Sequence, residues 1–487
     1  MIQLIPKYNL KIEDVIITSQ KKARINISGA GKKKILQSRA KLARALALEK
    51  PVYGVSTGFG ALVQTMIPIA KRRLLQKNLI KSHALGTGNY FEKSAVRAAM
   101  FLRANMLSKG FSGVRIELVK LLIDMLNRNV IPVVYEKGSV GASGDLAPLA
   151  FIALGLIGKG KAFYFDKIMN SKLALKKAGL KPIILEPKEG LALINGTEMM
   201  SAQGAINISR ANRLINLADI SGALSFVALG GNTKAFDAKI SELKPYPGQK
   251  LSAKNLRNLI ATNSNPNSLQ NAYSLRCMPQ VHGAIREGVR FAREIVETEM
   301  NSVSDNPIIF DKEIMSGGNF HGQAVAFAMD NLAINLCVLG GITERRISRL
   351  LDPSLSRLPA FLSPSSGVNS GLMMTQLLAT TLMTENKILA TPASIQSLPT
   401  SANQEDFVSM GMDSALKAKK IIENTSTILA LELINACQAI ELAKIKLNKR
   451  LKKYFDFVRL DVPFQKTDQE LTGQLHALIH KLNEINL

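Results

Sequence analysis

The feature that most constrains this chain is a helical hydrophobic period sustained over its second half. From Asn195 onward the sequence consists of long stretches in which apolar residues recur every three or four positions. Val281, Ile285, Val289, Ala292 and Val296 keep that spacing until Asp305-Asn306-Pro307 ends the run. Leu429, Leu433, Ala436 and Ile440 repeat it after an expected N-cap at Asp413 or Ser414. Residues 331–351 and 371–390 also read as helices. Long helices with short connections pack side by side, so a helical bundle is expected. Several are apolar on more than one face, as in "LAINLCVLGG". A helix wet on one side has no use for a second apolar face, which points to cover by neighbouring subunits.

The region before Asn195 has another character. Short β-like runs (VIITS, RINIS, FYF, PIILEP) alternate with short helical patterns and many glycines. At 487 residues the chain is too long for one ordinary core. The expected fold is mainly α: a smaller mixed α/β N-terminal domain over residues 1–194, then a long-helix bundle with C-terminal helices over residues 195–487. The opening residues lack a basic stretch followed by an apolar one, so no secretory leader is expected. The run LAPLAFIALGLIG is interrupted by Pro148, Gly155 and Gly158 and is too short to span a bilayer. Cys277, Cys337 and Cys437 lie far apart and suggest neither a disulfide framework nor a zinc site. The expectation is a cytoplasmic protein with no metal and no membrane partner.

The formal net charge is +26. Basic surfaces bind nucleic acid by releasing counterions from phosphates. Short clusters occur at Lys21–Arg24 and Lys32–Lys34, but elsewhere the lysines are scattered, without an RNP-like or zinc-finger pattern. Trp is absent and aromatics are only 5%, so platforms for base stacking are scarce. A nucleic-acid-binding protein is thus the alternative of a different class. The leading expectation is no nucleic-acid partner and a basic surface able to gather anionic substrates.

Between the helical stretches lie segments dense in Asn, Gln, Ser, Tyr and Gly: YGVSTGFG, LINGTEMM, LQNAYSLRCMPQVHG, SVSDNP, GGNFHGQ and LPTSANQEDFVSMG. Together they read as the wall of a polar site. A further string, GSVGASGDLAPLA, runs from Gly138 to Ala150. It has glycines enough to cradle a phosphate but lacks the lysine that would reach outer phosphates. The alternative is chemistry on the backbone. In a sharp bend the nitrogen of Gly144 can approach the carbonyl carbon of Ala142, because Gly144 has no side chain in the way. Loss of one water closes a five-membered ring, and loss of a second from Ser143 leaves a methylene conjugated to the ring carbonyl. The product is a methylidene-imidazolone, a strong electrophile, and Asp145 stands where a carboxylate can assist with the protons.

This string resembles the prosthetic-group motif of the aromatic amino acid ammonia-lyases, the family of histidine, phenylalanine and tyrosine ammonia-lyases and related aminomutases. Matching blocks follow in family order, at Tyr53–Gly60, Leu75–Gly88, Leu193–Thr197, Gln270–Gly283, Asn301–Pro307, Gly317–Gln323, Gly367–Met373 and Leu398–Met410. The resemblance implies a fumarase/aspartase-like helical homotetramer with active sites shared between subunits. It implies an MIO (4-methylidene-imidazol-5-one) group formed from Ala142, Ser143 and Gly144, with no external cofactor. It also implies roles: Tyr53 as general base, Asn195 on the amine and ring carbonyl, and Arg276 as clamp on the substrate carboxylate. By the same resemblance Tyr273 and Gln270 are expected to line the prosthetic group and Phe320 to form an aromatic wall.

Substrate choice rests on fewer residues. Ser82-His83 and Glu405, beside Gln404, resemble the histidine-specific members, in which an acid and a histidine answer the two imidazole nitrogens. Phe407 departs from the pattern, because histidine enzymes often carry histidine there. His282 and His321 read as structural or supporting, and His476 and His480 as bystanders. The expectation is elimination of ammonia from L-histidine to give trans-urocanate. The nearer alternatives are a tyrosine or phenylalanine lyase or an aminomutase with the same group.

Overall fold

The computed structural model describes residues 1–6, 9–48, 51–265 and 269–484. They form two compact units. The first comprises Met1–Ser209, Arg293–Asp330 and Pro392–Leu416; the second comprises Arg210–Ala292, Asn331–Thr391 and Lys417–Leu487. This division differs from the single break expected between residues 194 and 195. Helices such as Glu198–Ala228 and Met278–Met300 carry residues of both units, so no one point in the sequence separates them.

Helix dominates, as the periodicity requires, and strands are confined to small sheets. In the first unit Ile2–Leu4 pairs in parallel with Ile25–Ile27, and Val130–Pro132, Lys161–Tyr164 and Lys167–Asn170 form an antiparallel three-stranded sheet. RINIS and FYF thus contribute strands, and PIILEP has no regular structure. VIITS lies instead in the helix Ile12–Ser19. Its β-branched residues follow burial rather than propensity: Ile12 and Val15 are buried on the face that packs against the helix Lys93–Ser108. That second helix is buried from Ala95 to Ser108, including Arg97, Arg103 and Asn105. The helix Leu146–Leu156 tolerates Pro148 because it falls in the first turn, where no intrahelical N–H is needed. Gly155 allows close packing, since a Cβ there would lie 2.6 Å from Pro132 Cγ.

In the second unit buried charges are paired. Glu432 accepts from Arg346, from Ser221 Oγ (2.7 Å) and from Ser225 Oγ (2.7 Å). Asp219 faces His282 Nδ1 (2.8 Å) and accepts from Arg286 Nη2 (2.7 Å). The expected helix over residues 371–390 is Met373–Leu389. The one expected from residue 331 begins earlier, at Gln323, and ends at Leu351. The last long helix is Gly411–Leu442, so Asp413 and Ser414 fall inside its first turn. The Gly411 N–H at the helix start is instead taken by Ser409 Oγ (3.3 Å), and Met410 O accepts the Ser414 N–H (3.1 Å). Among the described residues one helix, Gln323–Leu351, is long and apolar enough to cross a membrane; 56% of its apolar window is buried inside the protein, as in a core helix.

Candidate active site

The turn ahead of the helix Leu146–Leu156 is tightly bent. The N–H of Gly144 donates to Gly141 O (3.3 Å), and between them Ser143 has φ +46°, a region costly for a residue with a side chain. Both glycines are obligatory. A Cβ on Gly141 would lie 2.2 Å from Ser409 Oγ, and one on Gly144 would lie 2.1 Å from Gly196 O. The segment after Asn195 locks the other side. Gly196 N–H donates to Ser143 O (3.1 Å), and Asp145 N–H donates to Gly196 O (2.7 Å). The Asp145 carboxyl is fully buried and accepts the Met200 N–H on Oδ2 (2.8 Å). Burial pushes it up to about 7 against the pull of that N–H, and neighbouring Glu198 adds to the rise.

Asn195 ends the short helix Glu189–Ile194. Its Nδ2 donates to Asn306 O (2.9 Å), which ties the end of this helix to the segment at Asn306. Two buried cations fix the surrounding backbone. Arg103 Nη1 donates to Asn195 O (2.9 Å) and Ala192 O (3.2 Å), and its Nη2 pairs with Glu198. Lys188 Nζ pairs with Asp305 (2.7 Å) and reaches Asn306 O (3.4 Å). Burial lowers the Lys188 ammonium and raises the Glu198 carboxyl.

The turn opens into a cavity of about 710 Å³ that brings together Tyr53, His83, Ala142, Ser143, Asn195, Phe320, Gln404 and Glu405. Tyr53 meets the Phe59 ring edge-on, and its hydroxyl oxygen accepts the Gly60 N–H (3.0 Å). His83 closes the helix Arg72–His83. Its Nδ1 lies 2.9 Å from Leu79 O and 3.0 Å from Ser82 Oγ, so the protein engages that nitrogen and Nε2 is left for a ligand. The loop that carries Glu405 holds three successive residues with left-handed backbone, Ser401, Ala402 and Asn403. This fold brings Ser401 Oγ and Thr400 Oγ1 (3.3 Å) onto Glu405 Oε2, and Oε1 has no protein partner among the described residues. Phe407 is 62% exposed and lies parallel to the His321 ring, with centroids 6.1 Å apart; His321 Nε2–H donates to Phe407 O (3.2 Å).

Gln270, Tyr273 and Arg276 do not line this cavity; they lie in the second unit. Tyr273 is 73% exposed, and the Arg276 guanidinium sits 4.6 Å from its ring centroid. Arg276 has no carboxylate partner among the described residues, so it serves no structural ion pair there.

A sequence profile described as aromatic amino acid lyase matches residues 10–460. The chain belongs to the aromatic amino acid lyase family. It is a carbon–nitrogen lyase. It is 45% identical over 484 residues to histidine ammonia-lyase of Myxococcus xanthus, covering 98% of this chain and 95% of the relative. The crystal structure of histidine ammonia-lyase from Trypanosoma cruzi superposes with a TM-score of 0.92 at 39% identity, covering 99% of this chain and 94% of that one. Tyrosine aminomutase from Streptomyces globisporus superposes with a TM-score of 0.93 at 34% identity, covering 99% and 97%. One lyase-family fold thus carries more than one chemistry, and the site has to decide between them.

Several residues of this lyase site were not singled out in the sequence. Asn306 joins Asn195 to Lys188 through its carbonyl, and Leu75, Leu79, Leu191 and Val408 form apolar wall. A backbone acceptor leaves no mark on side-chain identity. Arg103 did leave one: a lone arginine in the apolar run AAMFLRANML signals a buried partner.

Proposed function

We propose that this lyase is a histidine ammonia-lyase, releasing ammonia from L-histidine to give trans-urocanate in histidine catabolism in the cytoplasm. The observation that carries the reading is the presence of His83 and Glu405 in the cavity that also holds Tyr53, Asn195 and the Ala142–Gly144 turn. A neutral imidazole offers one donor and one acceptor. Glu405 Oε1 is free to accept the N–H, and His83 Nε2 is free to meet the other ring nitrogen. The phenylalanine alternative would leave both groups unpaired against an apolar ring, and the single phenol of tyrosine cannot reproduce the two ring nitrogens of imidazole.

The residues at the turn fit an MIO group. The left-handed Ser143, the two glycines that admit no Cβ, and the buried Asp145 carboxyl agree with a tripeptide bent for cyclisation. When formed, the ring supplies an electrophilic methylene that lets the substrate amine depart. The protein's own groups do the rest. Gly196 N–H holds Ser143 O, the oxygen that becomes the ring carbonyl. Asn195 keeps its amide oxygen for the substrate amine while Asn306 holds its nitrogen. Tyr53 removes the β-proton as general base, and the Gly60 N–H supports negative charge on its oxygen.

The carboxylate clamp comes from a second copy of the chain. Arg276 has a planar bidentate donor without a carboxylate partner among the described residues, on a segment whose Tyr273 is exposed. Phe327, Ile334 and Val338 on the helix Gln323–Leu351, and Met374, Leu377 and Ile388 on Met373–Leu389, are exposed apolar side chains. Such a surface supports assembly as a homotetramer with shared sites. The test of function is direct. Purified protein given L-histidine should build up the absorbance of a conjugated imidazolyl acrylate, and no such product would rule the reading out.

A further inference from the structure

We infer that Ser139 is a positioning residue for ring closure, its hydroxyl clamping both ends of the turn and linking it to the Asp145 carboxyl. The inference rests on the reading that Ala142, Ser143 and Gly144 form the prosthetic group. Ser139 Oγ makes three contacts. It accepts the Gly141 N–H (3.3 Å), and it lies within donating distance of Gly144 O (3.3 Å) and Asp145 Oδ1 (3.4 Å). Gly141 and Gly144 are the two ends of the four-residue turn, themselves joined by the 3.3 Å bond from Gly144 N to Gly141 O. One hydroxyl therefore holds the backbone on both sides of the residues that must react.

A hydroxyl has a single proton, and two acceptors compete for it. When the Asp145 carboxyl is protonated, that choice disappears: Asp145 donates to Ser139 Oγ, and Ser139 donates to Gly144 O. When Asp145 is ionised, Ser139 turns its proton to the carboxylate and Gly144 O is released. Burial of Asp145 favours the first arrangement. The arrangement tightens the bend from which the Gly144 nitrogen attacks the Ala142 carbonyl carbon.

The reaction balances without an outside reagent. A bond forms between Gly144 N and Ala142 C. The Ala142 oxygen leaves as water, taking the Gly144 amide proton and the Ser143 amide proton. Ser143 then loses its hydroxyl and its Cα hydrogen as a second water, leaving the methylene. Ser139 is not consumed. It fixes the geometry and connects the turn to the carboxyl that shuttles protons.

The experiment follows maturation rather than turnover. Full-length chains are made in a cell-free synthesis pulse and quenched in denaturant at intervals. The tryptic peptide Gly138–Lys159, which contains the turn, is then weighed. Wild type and Ser139→Thr should lose two waters with similar time courses. Ser139→Ala should lag by about tenfold, the rate equivalent of one neutral hydrogen bond. Ser139→Val, which has the shape of threonine without the hydroxyl, should lag likewise, and its thermal unfolding should match that of Ser139→Thr. Thr and Val variants maturing together, whether fast or slow, would overturn the role of the hydroxyl. An Ala variant that keeps the wild-type time course would do the same. A wild-type peptide that never loses water would instead sink the prosthetic-group reading itself.

Discussion

Replacing Tyr53 by phenylalanine separates a packing tyrosine from a catalytic one. The substitution keeps the ring and its edge contact with Phe59 and removes only the oxygen that accepts the Gly60 N–H at 3.0 Å. As a structural loss this is one partly buried neutral hydrogen bond, about 0.5–1.5 kcal/mol. If that bond merely steadied the loop, its full value lost in the transition state would slow turnover by about tenfold, since 1.36 kcal/mol is one decade. Loss of a general base costs about 10²–10⁴ in rate, or roughly 3–5 kcal/mol. The two roles are therefore separated by at least one decade in kcat. The assay is the steady-state rate on L-histidine. Intact mass and thermal unfolding serve as controls and should both stay close to wild type. A Tyr53→Phe enzyme within about tenfold of wild-type kcat would refute the assignment and require another base.

Other outcomes follow from the same geometry. Gly144→Ala should fail to mature, because its Cβ would meet Gly196 O at 2.1 Å on a backbone at φ +80°; intact mass with both waters retained checks this. Tyr53→Phe and Arg276→Ala, each inactive alone, should regain measurable activity when dissociated together and reassembled, if one site draws on two chains; no recovery in verified mixed tetramers would contradict sharing. His282 is fully buried, and burial lowers its imidazole from the ordinary 6.5 despite Asp219. An unfolded chain then binds a proton that the folded one refuses, so stability falls as pH drops below about 6.5. His282→Gln should flatten that part of the Tm–pH curve, and an unchanged slope would assign it to other groups.

The long helices were legible because apolar spacing repeats over many turns; their starts were not. The helix Gln323–Leu351 began earlier than its pattern, and Asp413 and Ser414 fell inside the last long helix rather than at its cap, because a helix end is decided by local backbone angles. VIITS shows the limit of propensity, since its β-branched residues are helical where burial rewards it. At the site, Tyr53, His83, Asn195, Phe320, Gln404 and Glu405 were legible as motif residues and converge on one cavity. Phe407 was legible as a departure, while its stacking on His321 was not, because the two are distant in sequence. Arg103 was legible as a lone arginine in an apolar run, while the partners of Lys188 and Ser139 were not, because each also holds backbone carbonyls, which the sequence does not label.

The central claim is histidine specificity arising from Glu405 and His83. The most direct measurement is kcat/KM for L-histidine, L-tyrosine and L-phenylalanine, in wild type and in Glu405→Gln. An apolar ring would leave the polar pair unsatisfied, at about 1–3 kcal/mol for each neutral group, and sites of this kind reject such analogues by as much as about 10⁴. Wild type should prefer histidine by several decades, and Glu405→Gln should lose far more activity on histidine than on the carbocyclic amino acids. A wild type that prefers tyrosine or phenylalanine, or a Glu405→Gln variant with an unchanged preference, would contradict the account.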